Sequence, residues 1–297
     1  MSAATRSRSP QMRHEVPMAS QTTWRAGGSA DRLFAPRTLA DLQTFLASGE
    51  AVEPLTWVGH GSNLLVREGG LEGTVICTRN GPKALEHLDA TTVRAEAGVS
   101  SARVARFCAD AGLAGAEFLA GIPGAVGGAL AMNAGAYGWE VADILAVAEV
   151  IDGQGNVRVV DPGELELGYR HAILPEGEWF VAAHFRLSPG DPDAIRARTK
   201  ELLAHREATQ PVNLANAGSV FRNPEGDFAA RLIETAGLKG TRLGGAEVSE
   251  RHANFIVNRF DATASDIEGL IRLVQDRVET VHGVVLVPEV RIVGREP

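Results

Sequence analysis

The sequence predicts an α+β protein of about two domains, and three observations carry that expectation. Apolar residues recur at three- and four-residue spacing behind residues that cap helices. Between those segments lie short runs rich in valine, isoleucine and threonine, the composition of strands. At 297 residues the chain is long enough for roughly two full-sized cores.

In chain order, the first fifteen residues, MSAATRSRSPQMRHE, read as a loose tail. No apolar stretch follows it of the kind that directs export, so a cytoplasmic location is expected. Thr38 caps a helix that carries Leu39, Leu42, Phe45 and Leu46 and stops at Gly49. Ser100 caps a second, with Val104, Phe107, Cys108 and Ala111, that stops at Gly112. Strands are expected at Thr74 to Thr78, Thr92 to Ala97, Val147 to Ile151, Val157 to Val160 and Trp179 to Leu187. The third and fourth are joined across an Asp-Gly-Gln-Gly turn.

A polar helix from about Asp193 to Glu207 ends before Pro211, which places a domain boundary between Pro189 and Pro211. Near the end, Ser265 and Glu268 form a capping-box pattern ahead of Ile267, Leu270, Ile271, Val274, Val278 and Val281, with Gly283 at the stop. The expected organisation is a tail over 1–15, two subdomains over 16–80 and 81–200, and a C-terminal domain over 201–297.

A formal net charge of −8 argues against a general nucleic-acid binder and against a protein held on anionic lipid. Cys77 and Cys108 are too few for a disulfide framework and read as small buried hydrophobes. His171, His184, His205, His252 and His282 lack metal-ligand spacing, so no metal is expected. His252, beside Phe255, Ile256 and Val257, is expected to be structural. FLAGIPGAVGGALAMNAGAYGW, Phe118 to Trp139, carries no charge and is long enough to cross a bilayer. Its six glycines and Pro123 argue instead for buried irregular backbone around something large.

Two glycine loops suggest what that is. LTWVGHGSNLLV places Gly59 and Gly61 like the first two glycines of a dinucleotide fingerprint, but Leu64 stands in the third place and no helix follows. The segment reads as strand, tight turn, strand. Its backbone N–H groups can form an anion nest, with the Ser62 hydroxyl and the Asn63 amide as further donors. A second stretch, Gly121 to Gly128 and then Asn133 to Gly138, lets a flat or phosphorylated ligand approach the main chain. Two such loops favour a dinucleotide.

TTWRAGGSA, GHGSNLLV, AGIPGAVGGALAMNAGAYG, GYR, AGSVFRNP, ETAGLKG, VSERHANFIVN and PEVRI, in this order from about Met18 onward, resemble the UDP-N-acetylenolpyruvoylglucosamine reductase family. The resemblance implies a two-subdomain FAD-binding domain of the vanillyl-alcohol-oxidase type followed by an α+β substrate domain. It implies non-covalent FAD, NADPH as co-substrate, and UDP-N-acetylglucosamine enolpyruvate as the compound reduced to UDP-N-acetylmuramate, with the chain acting as a monomer.

On matching positions, Gly59, His60, Gly61, Ser62, Asn63 and Leu64 would hold the flavin pyrophosphate. Gly121, Ile122, Pro123, Gly124, Val126, Gly127, Gly128, Asn133, Gly135 and Tyr137 would line the rest of the cofactor. Arg170, Ser219 and Glu289 take the catalytic positions, and Tyr169, Arg222 and Asn223 those that touch substrate.

Their chemistry suits the reaction. Hydride delivery to an enolpyruvyl methylene leaves negative charge beside a carboxylate, which calls for cationic and acidic donors and a proton source. Arg170 would hold the carboxylate, Ser219 would deliver the proton, and Glu289 would have to be protonated or share a proton with the intermediate. His60 stands where the family usually has a small residue, Ala125 where it commonly has a hydroxyl, and Arg222 where it often has lysine. Arg170 and Ser219 are 49 positions apart (219 − 170), as in the shorter branch of the family, which lacks an inserted substrate-covering loop. The glycine loops alone also suit an oxidase of the same flavin fold or a non-catalytic sugar-nucleotide sensor.

Overall fold

The computed structural model describes residue 10 and residues 12–296. Strand Met12–Pro17 pairs antiparallel with Ser29–Phe34, which runs parallel to Leu71–Cys77, itself parallel to Leu55–Val58. Parallel neighbours require a crossover, and helix α1, Leu39–Ala47, lies on the one from Ser29–Phe34 to Leu55–Val58. Thr38 and Asp41 cap it reciprocally, each side chain accepting from the other's backbone N–H. Residues 12–15 of the expected tail belong to a strand. Residues 1–9 and 11 lie outside the described residues, whereas Met12–Pro17 is a strand, because Val16 is buried against Ala30 and Leu33.

The second sheet is antiparallel, in the order Val157–Val160, Leu145–Asp152, Glu178–Arg186, Thr92–Glu96, Leu85–His87. Helix α2, Ser101–Asp110, and the six-residue helix α3, Val126–Ala131, cover one face. Helix α3 interrupts the irregular backbone expected from Phe118 to Trp139. No side chain caps it; instead Val126 N–H donates to Val99 O (2.9 Å) and Gly127 N–H to Ala97 O (3.0 Å), so the neighbouring chain satisfies two of its first-turn donors. On the other face Ile151 and Val181 pack with Phe34, Phe45 and Ile76 of the first subdomain, and the rings of Trp57 and Trp179 stack at 5.0 Å.

Helix α4, Pro192–Thr209, fills the expected boundary region. Beyond it, a small antiparallel sheet runs Ala215–Asn216, Ile256–Asn258, Ala246–Val248, Arg242–Leu243, covered by helices α5, Ala229–Thr235, and α6, Ala264–His282. The capping box of α6 lies two residues ahead of the expected one. Thr263 and Asp266 make it, and Gly283 closes the helix in the left-handed conformation. Glu268 is thereby released to pair with Arg67, and Ser265 donates to Glu68.

The C-terminal core is completed from outside its own segment. Trp24, Ala26 and Leu65 belong to it, and Trp24 Nε1 donates to Ile256 O at 2.8 Å. Strand Leu64–Val66 pairs in parallel with Arg291–Val293. The first and last parts of the chain therefore meet in one packed seam, and the two glycine loops open beside it.

Candidate active site

The GHGSN turn is not a hairpin, because the strands on its two sides leave for different partners. Gly61 is required by the protein itself: φ is +63° and an added Cβ would stand 2.3 Å from Gln21 O. Thr23 braces it, with N–H and Oγ1 both donating to Gly61 O at 3.2 and 3.3 Å. Gly59 differs, since a Cβ there would meet only Thr78 Oγ1 at 4.0 Å. None of the backbone N–H groups from Gly59 to Asn63 has an acceptor among the described residues. That row of open donors is what an anion nest at this turn would need.

The two side-chain donors expected to join it are engaged elsewhere. Ser62 Oγ donates to Pro123 O at 3.2 Å, and Asn63 Nδ2 donates to Glu289 O at 3.1 Å and faces Met132 Sδ at 3.5 Å. The main chain alone is left to grip a phosphate. The ring of His60 makes no hydrogen bond among the described residues, and burial, helped by nearby Arg79 and Lys83, holds its pKa below the usual histidine value. Leu64 lies in the strand paired with Arg291–Val293.

The second loop meets the first at Gly124, where φ is +107° and a Cβ would lie 2.6 Å from Ser62 Oγ. Gly124 O accepts from Ser101 N–H at 3.2 Å, and behind it the Ser101 hydroxyl is buried with no partner. Ile122 and Val126 are buried, their N–H groups held by Leu119 O and Val99 O. Gly121 gives way to the Tyr137 ring, 2.6 Å from where its Cβ would stand, and Gly127 to Ala97. Around Gly128 nothing lies within 4 Å of such a carbon. Open amides, glycines at Gly59 and Gly128 that the protein does not need for its own packing, an orphaned hydroxyl and the cations Arg79 and Lys83 fit a flavin dinucleotide.

Two expected lining residues prove to be internal fasteners. Asn133 Nδ2 donates to Glu140 Oε2 and to Gly168 O, while its Oδ1 accepts from Ala142 N–H at 2.9 Å. Tyr137 gives its hydroxyl to Leu202 O at 2.8 Å. Gly135 offers its carbonyl to Arg170 Nη2 at 3.1 Å, and a Cβ there would collide with that guanidinium.

Arg170 and Glu289 come together, with Nε 3.3 Å from Oε1. Arg170 sits at φ +61°, a conformation that costs a non-glycine residue about 1–3 kcal/mol, and its guanidinium lies over the Tyr169 ring, 4.9 Å from the centroid. Among the described residues no hydrogen bond engages Nη1. Burial raises the Glu289 pKa above its ordinary value even though Arg170 and Arg222 both pull it down. Desolvation wins, and the neutral acid is favoured.

Ser219 reaches this pair through its neighbours. Val220 O accepts from Glu289 N–H at 2.7 Å, Phe221 bridges Pro288, and Arg222 N–H donates to Val287 O at 2.9 Å. The Ser219 hydroxyl is half-buried and makes no hydrogen bond among the described residues. Arg222 Nε is buried without a partner. Asn223 is exposed, and its Oδ1 accepts from Ala229 N–H at 3.1 Å, holding the turn into α5.

One residue of this arrangement escaped the sequence reading. Asn254 is buried and clasps Phe221 from both sides, its Oδ1 accepting from Phe221 N–H (2.9 Å) and its Nδ2 donating to Phe221 O (2.8 Å). Its own carbonyl accepts from Val220 N–H at 2.8 Å. A lone asparagine in the apolar run ANFIV was the available signal. His252 is structural as expected, accepting from Asn254 N–H and packing its ring edge on Phe255.

Fold and cradle define an FAD-binding oxidoreductase, and residues 30–161 match the family described as FAD binding domain. Residues 210–293 match the C-terminal domain of UDP-N-acetylenolpyruvoylglucosamine reductase. The reductase of that name from Alkalilimnicola ehrlichii is 56% identical over 294 residues, covering 99% of this chain and 98% of its own. That of Methylococcus capsulatus is 55% identical over 291 residues, covering 98% and 95%. The crystal structure of UDP-N-acetylenolpyruvylglucosamine reductase from Thermus caldophilus superposes with a TM-score of 0.80 at 35% identity, over 95% of this chain and 98% of that one. This chain belongs to the UDP-N-acetylenolpyruvoylglucosamine reductase family. Among the described residues no helix is long and apolar enough to cross a membrane.

Proposed function

We propose that this chain reduces UDP-N-acetylglucosamine enolpyruvate to UDP-N-acetylmuramate at the expense of NADPH, as a cytoplasmic monomer. The observation that carries this reading is the Arg170–Glu289 pair, whose carboxyl is biased toward its neutral form by burial. It stands one residue along the ladder from the unengaged hydroxyl of Ser219.

Gly59 to Asn63 would hold the FAD pyrophosphate through main-chain amides, and Gly128 would leave room for the rest. FAD bound there would supply the two-electron chemistry that carries reducing equivalents from NADPH to the enolpyruvyl methylene. Arg170 meets the substrate carboxylate with its unengaged Nη1 and balances the negative charge that grows there, at any working pH. Glu289, whose pKa burial raises, donates in its neutral form a hydrogen bond to the same developing charge rather than repelling it. Ser219 hands its proton to the other alkene carbon. A hydroxyl does this only where the carbanion is close and water is excluded. Tyr169, Arg222 and Asn223 are assigned to the sugar nucleotide.

Anaerobic titration of the yellow protein with NADPH, followed by the enolpyruvyl compound, tests this. Bleaching and then recovery of the flavin spectrum is expected. Recovery with oxygen alone and none with the enolpyruvyl compound would select an oxidase, and a colourless protein would select a sensor.

A further inference from the structure

Asn63 lies within the glycine turn, yet its side chain serves another residue. A primary amide has two donor hydrogens. Nδ2 sends one to Glu289 O at 3.1 Å and faces Met132 Sδ, at the end of α3, at 3.5 Å. None is left for a phosphate, and the remaining Oδ1, an acceptor, would repel one. Turning the amide over would set Oδ1 against Glu289 O, so the partners fix its orientation. The main chain of Asn63 adds a second grip, its carbonyl accepting from Arg291 N–H at 3.0 Å. Glu289 and Arg291, on the two sides of Val290, are thus both held by Asn63, whose own N–H is one of the open donors of the nest.

We infer that Asn63 is a positioning residue that ties the flavin-phosphate nest to Glu289, so that one residue sets both the seating of the cofactor and the placement of the carboxyl. This rests on the role proposed for Glu289. The coupling matters because a carboxyl displaced by about 1 Å can cost on the order of 10²-fold in rate.

Asn63→Ala keeps every main-chain amide of the nest and removes only the grip on Glu289. Three readouts on the full-length holoprotein test it: retention of the flavin spectrum through gel filtration, hydrogen exchange over residues 288–293, and the two half-reactions as a function of pH. The variant should keep its FAD, exchange faster over 288–293 and lose less in its reduction by NADPH than in its reoxidation. Its reoxidation by the enolpyruvyl compound should slow by about tenfold to about a hundredfold, with the alkaline limb displaced. Combined with Glu289→Gln, the loss should be far less than additive.

Loss of FAD with unchanged exchange over 288–293 would make Asn63 a flavin ligand and overturn the inference. Equal slowing of both half-reactions with an unmoved alkaline limb would make it a packing residue only, and would overturn it as well. Wild-type protein that fails to reoxidise with the enolpyruvyl compound would refute the proposed function instead. The flavin-retention and exchange readouts need no turnover, so they still decide the role of Asn63.

Discussion

At Glu289 burial and two cations pull in opposite directions. Burial outweighs the pull of Arg170 and Arg222, so its pKa lies above the ordinary value and the neutral form persists to higher pH than in water. The acid is present below that raised pKa and lost as pH rises through it. Reoxidation of reduced flavin by substrate should therefore fall on the alkaline side, and Glu289→Gln, which keeps a neutral donor, should remove that limb while lowering the plateau. Stopped-flow rates across pH for both proteins check this.

Ser219 offers a second test at the same scale. With no hydrogen bond of its own to lose, Ser219→Ala should leave stability and flavin reduction by NADPH unchanged. Reoxidation by the enolpyruvyl compound should slow by about 10²–10⁴-fold, the usual worth of a positioned acid. These two residues were legible from their motifs. That the donors of Ser62 and Asn63 are engaged by Pro123 and Glu289 was not, because the acceptors lie 61 and 226 positions away.

At the scale of elements, the short stretch from Ser219 to Arg222 is held by its neighbours rather than by regular structure. Phe221 has both main-chain groups clasped by Asn254, and Val220 is bonded to Asn254 O and Glu289 N–H. Asn254→Ala would leave the N–H and C=O of Phe221 unsatisfied in the interior, at about 1–3 kcal/mol for each buried group. Denaturant titration should show that loss. Reoxidation by substrate should slow while flavin reduction does not, since the nest is untouched.

Local sequence foretold the helices well because caps and periodicity are local. Thr38, Ser100 and Gly283 all act at the ends where they were expected. It misplaced the box of α6, where Thr263 with Asp266 offers the same pattern two residues ahead of Ser265 with Glu268. Glu268 instead forms an ion pair with Arg67, which only the folded chain brings near.

Over the whole molecule, the core of the C-terminal domain depends on residues some two hundred positions earlier. Trp24 is fully buried in it and donates to Ile256 O, while Asn258 Nδ2 donates back to Trp24 O at 2.9 Å. Trp24→Ala should destabilise the protein by about 3–5 kcal/mol, the usual cost of emptying a buried aromatic site. Hydrogen exchange should quicken in 246–258 and 264–282 before it does in the antiparallel sheet of the second subdomain. Equal acceleration everywhere would count against a core shared in this way.

The residues by themselves determined the α+β class, most of the helices and strands, the two glycine loops and the family, since each of these is written in short contiguous patterns. Only the tertiary structure decided that the strands flanking GHGSN part company, that Arg170 meets Glu289, and that Asn133 and Tyr137 fasten the chain to itself. Pairing of that kind joins groups far apart in sequence, and its geometry exists only once the chain has folded and burial has removed the water that would otherwise satisfy those groups.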